Sequence, residues 1–216
     1  GDDVELSTYA VVEFNAVDRS RFIADVMEIK TPQREDIEFA HRLVPKDITA
    51  YYEIPLDRRL PELVATLALR DQRAKIRTGG ITPEAFPKAH EIVRFVRACT
   101  AANLPFKATA GLHHPMRCQR PLTYEPNAVK GKMHGFLNLF LMAAFVRDGR
   151  HIDLLDELMM TEDAGELRFD QTGVRWRNDY VLTLFQLEQA RYRGIQSFGS
   201  CSFIEPIADL RALGIL

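Results

Sequence analysis

The sequence predicts an α/β protein in which mainly parallel strands alternate with helices, in the manner of a (β/α)-barrel. Short apolar stretches are repeatedly followed by segments with the apolar spacing of helices. Strands that alternate with helices need crossover connections, which favour a parallel sheet. Only six strands are predicted where eight would close a TIM barrel. The expected fold is therefore an incomplete or truncated barrel, with residues 1–216 in a single domain.

The individual strands and helices are predicted from the spacing of apolar residues and from residue types that typically begin or end helices. The predicted strands are residues 9–16, 26–30, 48–56, 74–78, 106–111 and 197–203. The predicted helices are residues 19–25, 35–43, 60–70, 84–102, 136–147, 152–159, 179–193 and 206–213. Pro61 and Pro206 stand where the first turn of a helix tolerates proline. Within 89–101, Ile92, Val96 and Cys99 fall on one face.

Two segments break the alternation of strands and helices. Residues 167–177 alternate around a glycine-containing turn and predict a small hairpin, inserted late in the domain. Residues 113–132 contain proline, glycine and basic side chains, and we expect a long loop over the carboxyl ends of the strands.

Composition and charge limit the classes of partner that the protein is expected to bind. The chain is 46% hydrophobic and 27% charged, with a formal charge of −2, so nothing favours a nucleic acid or an anionic membrane. No apolar run reaches the roughly 20 residues that span a bilayer, and we identify no signal peptide. The three cysteines are widely spaced and form no Cys-x-x-Cys pair. These features predict a cytoplasmic protein without disulfides.

Charged side chains alternate with apolar ones along several predicted strands, so each strand has an apolar and a polar face. The residues of the polar faces are Glu13, Asn15, Glu28, Lys30, Tyr51, Glu53, Lys75, Arg77, Lys107 and Thr109. If helices cover the apolar faces, the polar faces look into a barrel or cleft. Buried charges are costly unless paired, so their convergence predicts a functional site. The alternatives are a solvated sheet face or a structural network of ion pairs.

Lys75 and Lys107 occupy matching positions on consecutive predicted strands and should approach one another. A like charge and burial both lower the pKa of a lysine, and a neutral amine attacks carbonyl carbons to form a Schiff base. Alternatively, both lysines pair with Glu28 and Glu53 and close the sheet or hold an anionic substrate.

The ends of these two strands resemble class I aldolases of the deoxyribose-phosphate aldolase type. Residues 75–79 read Lys-Ile-Arg-Thr-Gly and residues 107–111 read Lys-Ala-Thr-Ala-Gly. In that (β/α)-barrel family, Lys-x-x-Thr-Gly carries the Schiff-base lysine, and the next strand ends in Lys-Ala-x-Gly-Gly. The resemblance implies that Lys75 is the Schiff-base lysine and that Lys107 perturbs it. Residues 198–202 are similar to the family's phosphate-binding strand end. The resemblance covers three short strand ends.

Further candidates lie near the carboxyl ends of the strands. Residues 199–202 precede a predicted helix, where backbone amides and hydroxyls bind anions, although Glu205 could fill that position instead. His113 and His134 could contact substrate, and His113 with Glu53 could bind a metal. Cys201 could be a nucleophile beside His113 or His114, although a buried strand cysteine is the commoner outcome.

We therefore expect an enzyme that acts on a small anionic carbonyl metabolite, with a Schiff-base lyase or aldolase as the leading form. The expected catalytic residues are Lys75, Lys107, Glu53, Glu28 and His113. The expected substrate-binding residues are Lys30, Arg77, Thr109, Gly79, Gly80, Gly199, Ser200, Ser202 and His134. No cofactor and no metal ligand are assigned. The alternatives are a metal-assisted lyase or isomerase and a non-catalytic binding or scaffold protein. Association into a homo-oligomer stays open.

Overall fold

The computed structural model describes residues 2–18 and 22–216. Its α-helices are α1 (Asp2–Asp18), α2 (Arg34–Leu43), α3 (Leu60–Ala68), α4 (Ala89–Ala101), α5 (Phe136–Arg147), α6 (Ile152–Met160), α7 (Leu184–Arg193) and α8 (Ile204–Ala212). Its strands are β1 (Val26–Lys30), β2 (Thr49–Glu53), β3 (Arg73–Arg77), β4 (Phe106–Thr109), β5 (Cys118–Pro121), β6 (Lys130–Met133), β7 (Leu167–Asp170), β8 (Gly173–Trp176), β9 (Tyr180–Thr183) and β10 (Ile195–Gly199). Short 3₁₀ turns occur at Pro83–Ala85 and Ala164–Glu166.

The main sheet has five strands in the order β1-β2-β3-β4-β10, and every neighbouring pair is parallel. The predicted alternation of helices with a parallel sheet is therefore confirmed. Strands β1 and β10 form the two edges, and the described strands do not close into a barrel.

Each strand of this sheet has the apolar and polar faces that the sequence pattern predicts. In β1, Met27 and Ile29 are buried whereas Glu28 and Lys30 are exposed. Helices cover the apolar face, because α4 places Ile92, Phe95 and other apolar residues of one side in the core. Apolar burial of this kind is the main favourable contribution to folding.

The polar face is concave. The hydroxyl of Tyr51 on β2 donates to Oε1 of Gln196 on β10, over 2.7 Å. These strands are three steps apart in the sheet, which is about 14 Å if the sheet is flat. The hydrogen bond forms because the sheet curves towards its polar side, which brings distant strands together.

Helix α5 is apolar around most of its circumference and is buried accordingly. It contacts α4, α6 and α7 and also approaches β10. Phe198 of β10 stacks on Phe136 of α5, with 4.8 Å between ring centroids. Within the described residues, no helix combines the length and apolarity needed to cross a membrane.

The late hairpin is present and is larger than predicted. Strands β7, β8 and β9 form an antiparallel sheet, so residues 167–177 contribute two of its three strands. The helix predicted at residues 179–193 is wrong in its first part, because Tyr180–Thr183 pairs with β8. Helix α7 begins only after Thr183, whose side chain and that of Gln186 form a capping box.

The strand predicted at residues 9–16 is wrong, because this segment belongs to helix α1. Glu13 and Asn15 therefore do not join the polar face of the sheet. Asn15 instead bonds the backbone N–H and C=O of Ala24, over 2.8 and 2.9 Å. The helix predicted at residues 19–25 is absent at 22–25, and residues 19–21 lie outside the described residues.

The segment predicted as one long loop, residues 113–132, contains secondary structure. Strands β5 and β6 form an antiparallel pair in and next to it. The strand predicted at residues 197–203 is shifted, because β10 ends at Gly199 and the chain then leads into α8.

Candidate functional site

Four charged side chains on the polar face form one connected cluster. Lys75 Nζ lies 2.5 Å from Glu28 Oε2 and 2.7 Å from Glu53 Oε2. Lys107 Nζ lies 2.6 Å from Glu28 Oε1. Glu28 therefore bridges the two lysines, and Lys75 bridges the two glutamates. All four are among the predicted catalytic residues.

Strand register places these side chains together. Glu53 on β2 pairs with Lys75 on β3, and Lys75 pairs with Lys107 on β4. Side chains of paired residues in a parallel sheet project from the same face, so the three line up across the sheet. Glu28 reaches the cluster from β1, where its register partner is Tyr51.

The cluster is partly shielded from water. The side chains of Lys75, Lys107 and Glu53 are 10%, 14% and 17% exposed, whereas that of Glu28 is 36% exposed. Burial opposes ionisation of Glu28, but hydrogen bonds from Lys107 and Lys75 outweigh burial and lower the pKa of its carboxyl group.

Burial likewise opposes the charge of Lys75, but hydrogen bonds to Glu28 and Glu53 outweigh it and raise the pKa of the amine. Lys107 does not lower the pKa of Lys75 here, because the carboxylate of Glu28 lies between the two amines. The alternative pairing of both lysines with glutamates is the arrangement observed.

Tyr51 is a member of the site that was not assigned a role from the sequence. Lys107 Nζ lies 5.2 Å from the centroid of its ring, and Arg73 Cζ lies 5.7 Å from it. Burial raises the pKa of its hydroxyl, which donates to Gln196. The sequence places Tyr51 on the polar face, because it lies two residues before Glu53 on the same strand. Its contact with Gln196 could not be predicted, because that contact depends on the curvature of the sheet.

A cavity of about 430 Å³ opens beside the cluster at the carboxyl ends of the strands. Many of the predicted site residues line it, from four strands and the loops that follow them. These residues are Glu28, Lys75, Arg77, Gly80, Thr109, His113, Gly199 and Ser200. A neighbouring cavity of about 360 Å³ is lined by Lys30, Glu53 and Arg77, so Arg77 faces both. Lys30 and Arg77 form no ion pair with another described residue.

Two predicted substrate-binding residues, Gly79 and Ser202, have structural contacts instead. A Cβ on Gly79 would lie 2.6 Å from Phe86 and 2.9 Å from Gly111, so this glycine allows close packing. Ser202 Oγ accepts from the backbone N–H groups of Ile204 and Glu205, and so caps α8 from within the chain.

His134 is buried, and its Nε2 hydrogen-bonds the carbonyl oxygen of Pro87 over 2.7 Å. Burial lowers the pKa of this imidazole, which favours its neutral form. It does not line the cavity beside the ion cluster.

His113 lines that cavity, but its ring contacts are with other residues. Nδ1 lies 3.1 Å from Glu205 Oε2, and Nε2 lies 3.4 Å from the sulfur of Cys201. Cys201 is exposed, so the expectation of a buried strand cysteine is wrong. The Glu205 carboxylate contacts the side chains of His113 and Tyr124, and no described contact joins it to the backbone amides at this helix start.

The pair proposed for a metal, Glu53 and His113, has separate partners: Lys75 for the first and Glu205 for the second. Among the residues that the structure describes, no group of three or more histidine, cysteine, aspartate or glutamate side chains is arranged to hold a metal ion.

Comparison of the chain with known protein families, with curated proteins and with solved structures finds no match. The interpretation of the site therefore depends on its own geometry.

Proposed function

We propose that the chain is an enzyme that moves a proton at the carbon beside the carbonyl group of a small anionic metabolite. The single observation that carries this proposal is the position of Lys75 between two carboxylates at the wall of a cavity. Proton transfer at carbon needs a base and a nearby acid, and this cluster offers both.

The architecture that we propose for this site is (β/α)-barrel-like. The strands of the main sheet follow one another in chain order, helices cover one face and charged side chains occupy the other. Barrel enzymes place their sites at the carboxyl ends of the strands, which is where this cavity opens.

The preference for an anion follows from the charge balance. Two glutamates and two lysines neutralise each other within the cluster. Arg77 then adds positive charge to the cavity that Lys75 lines, whereas Lys30 faces the neighbouring cavity together with Glu84 and Glu91. A phosphate or carboxylate group of the substrate would complete this arrangement, because guanidinium groups bind such anions with two hydrogen bonds.

The roles in the reaction follow from the contacts. Glu53 bonds only Lys75 within the cluster, whereas Glu28 is held by both lysines, so Glu53 is the freer base. Glu53 lines the neighbouring cavity, which shares Arg77 with the first, and lies 2.7 Å from Lys75. Across this boundary, Glu53 takes the proton from carbon, and the Lys75 ammonium stabilises the oxygen anion of the resulting enolate. The raised pKa of Lys75 keeps this ammonium charged at neutral pH.

Deuterium exchange tests the proposal directly. A panel of keto acids and keto phosphates, including pyruvate and dihydroxyacetone phosphate, is incubated with the protein in D₂O and followed by proton NMR. We expect exchange beside the carbonyl group, reduced about 100-fold or more in Lys75→Met and Glu53→Gln. Lys46→Met removes the same charge from an exposed position and should leave the rate unchanged. Equal rates in Lys75→Met and the wild type contradict the proposal, and binding without exchange indicates a non-catalytic binding protein.

A Schiff-base aldolase is the second candidate, favoured by the register of Lys75 opposite Lys107 and by the resemblance of their strand ends. Lys75 would first pass its proton to a carboxylate and then attack the carbonyl carbon, with loss of water. Cyanoborohydride added to the same mixtures would trap a covalent adduct on Lys75, located by peptide mass spectrometry. An adduct supports the aldolase, whereas exchange without an adduct supports proton transfer alone.

A further inference from the structure

Cys201, His113 and Glu205 form a second constellation that the ion cluster does not use. The Cys201 sulfur lies 3.4 Å from His113 Nε2 and 3.8 Å from His113 Nδ1, so it lies beside the ring and the exposed thiol must turn before it can bond the Nε2 lone pair. His113 Nδ1 lies 3.1 Å from Glu205 Oε2. Glu205 also accepts a hydrogen bond from the hydroxyl of Tyr124, over 3.1 Å. The order thiol, imidazole, carboxylate is that of a nucleophile, its base and the group that orients the base.

The fold explains why these residues meet. His113 follows β4 and Cys201 follows β10, and these strands are neighbours with Gly199 opposite Thr109. The segments that follow β4 and β10 therefore leave the sheet at the same edge. Glu205 lies in the first turn of α8, directly after Cys201, so the helix returns its carboxylate to the imidazole.

The carboxylate fixes the form of the imidazole. When Glu205 accepts from Nδ1–H, the neutral ring has its lone pair on Nε2, which is the nitrogen nearer to the sulfur. The imidazole can then take the proton of the thiol, and the carboxylate stabilises the imidazolium that results. The His113 side chain is 15% exposed, whereas Cys201 is open to solvent and to substrate.

A cavity of about 640 Å³ adjoins the sulfur. Its wall combines His113 and Cys201 with apolar or aromatic side chains, which are Ile81, Leu122, Tyr124 and Met133, and with the charged side chains of Arg120, Glu125 and Glu205. Apolar walls with a few polar groups are typical of sites for small organic ligands, and this volume is within their usual range. The lining suits a substrate with an apolar acyl group.

We propose that Cys201 is the nucleophile of an acyl-transfer site, with His113 as its base and Glu205 as a positioning residue. His113 takes the thiol proton and the sulfur attacks the carbonyl carbon of a carboxylic ester. The bond to the alcohol oxygen breaks, and His113 returns the proton to the departing alcohol. Water then adds to the thioester with His113 as base, the carbon–sulfur bond breaks and the thiol regains a proton. One ester and one water give one acid and one alcohol.

His113 and Cys201 line the cavity that Lys75 and Glu28 also line, but none of the three residues of this site bonds Lys75, Glu53 or Glu28 among the described contacts. Deuterium exchange at carbon and acetylation of Cys201 are separate readouts, so failure of one proposal is distinguished from failure of the other.

The other cysteines provide internal controls. Cys99 is buried, and burial raises the pKa of its thiol. Cys118 is half-buried, and burial likewise raises the pKa of its thiol. A reagent that modifies cysteines only by access and ordinary thiol chemistry would not need His113.

The experiment uses p-nitrophenyl acetate with the intact chain and follows both p-nitrophenol release and the acetylated cysteine by peptide mass spectrometry. We expect acetylation of Cys201 ahead of Cys118 and Cys99, and loss of release in Cys201→Ala. His113→Asn should slow acetylation about 100-fold. Cys118→Ala should react as the wild type does.

Glu205→Gln tests the positioning role, because it keeps a side chain of the same size beside Tyr124 and His113. We expect kcat to fall about tenfold or more while KM for the ester stays constant. Tyr124→Phe removes the other bond to Glu205 but leaves its charge, and should change kcat much less. Acetylation of Cys201 at the wild-type rate in His113→Asn, in a variant whose urea unfolding is unchanged, overturns the proposal. Equal labelling of Cys118 and Cys201 also overturns it.

Discussion

Glu28 is the residue on which the ion cluster depends, because it is the shared partner of Lys75 and Lys107. Glu28→Gln keeps the shape of the side chain and removes its charge. We expect the free energy of unfolding at pH 7 to fall by about 1–2 kcal/mol, a value reduced from that of fully buried pairs because Glu28 is partly exposed. Glu38→Gln breaks surface pairs with Arg34 and Arg70 and should cost less. Urea denaturation measures both.

The pH dependence of this difference identifies its origin. The Glu28 pKa in the folded protein is below its ordinary value of 4.5, so its contribution is complete above that pH. The contribution is lost as the pH falls through the lower, folded pKa. The stability difference between wild type and Glu28→Gln should therefore shrink below about pH 4.5. A difference that stays constant to pH 2 would contradict an electrostatic role for Glu28.

Residue-level patterns predicted most of the candidate site. Alternation along single strands identified Glu28, Glu53, Lys75 and Lys107, because the two faces of a strand are decided locally. The direction of the Lys75 pKa shift was left open, since strand order alone does not tell which side chain lies between two amines. The proximity of Cys201 to His113 was considered from the sequence, but the Glu205 contact depends on where α8 turns.

At the scale of elements, Asn138 connects three segments from within the buried helix α5. Its Oδ1 accepts from the backbone N–H of Arg117, over 2.8 Å. Its Nδ2 donates to the carbonyl oxygens of Leu158 and Thr161, over 2.8 and 2.9 Å. This buried polar residue of an apolar helix therefore satisfies backbone groups of the loop after β4 and of the end of α6.

Asn138→Leu should lower the free energy of unfolding by about 3–5 kcal/mol, because two buried carbonyl groups and a partly buried N–H group lose their partner. Asn15→Leu is the matched control, since Asn15 makes two backbone bonds to Ala24 at a position partly open to water. Its cost should stay near 1 kcal/mol or below, because water replaces the bonds. Similar losses in the two variants, measured by chemical denaturation, would contradict the structural role of Asn138.

Element boundaries show where local patterns mislead. Residues 9–16 alternate like a strand, yet α1 contains them. The less exposed positions of this helix, Val4, Thr8, Val11 and Asn15, have the spacing of one helix face. The segment therefore has both the two-residue period of a strand and the spacing of one helix face. The contact of α1 with α2 selects the helical one, and that contact is not encoded in the segment itself.

At the scale of the whole molecule, stability should follow the order of strands in the sheet. Strand β3 has a hydrogen-bonded neighbour on each side, whereas β1 and β10 are edges. Helix α1 is largely exposed, with Val17 88% accessible. We expect the slowest amide hydrogen exchange in β2, β3 and β4 and much faster exchange in α1. Exchange in α1 as slow as in β3, measured by mass spectrometry at peptide level, would show that α1 has a protected environment.

The parallel sheet was predicted because alternating strands and helices restrict the topology, whatever the exact boundaries are. Strands β5, β6 and β9 were not predicted, because each has only four residues and carries a weak local signal. Pairing with β8 decides that Tyr180–Thr183 is extended.

The irregular pairing of β10 determines which side chains of this edge strand lie on the polar face of the sheet. Ile195 pairs with Phe106 and Ser197 with Lys107, so Gln196 is an extra residue between them. In an uninterrupted ladder, Gln196 would take the place opposite Lys107 and Phe198 would stand opposite Thr109. The phenyl ring of Phe198 would then lie on the polar face of the sheet, near the ion cluster, and would lose its contact with Phe136. This one extra residue therefore decides which face of the sheet each later residue of β10 occupies.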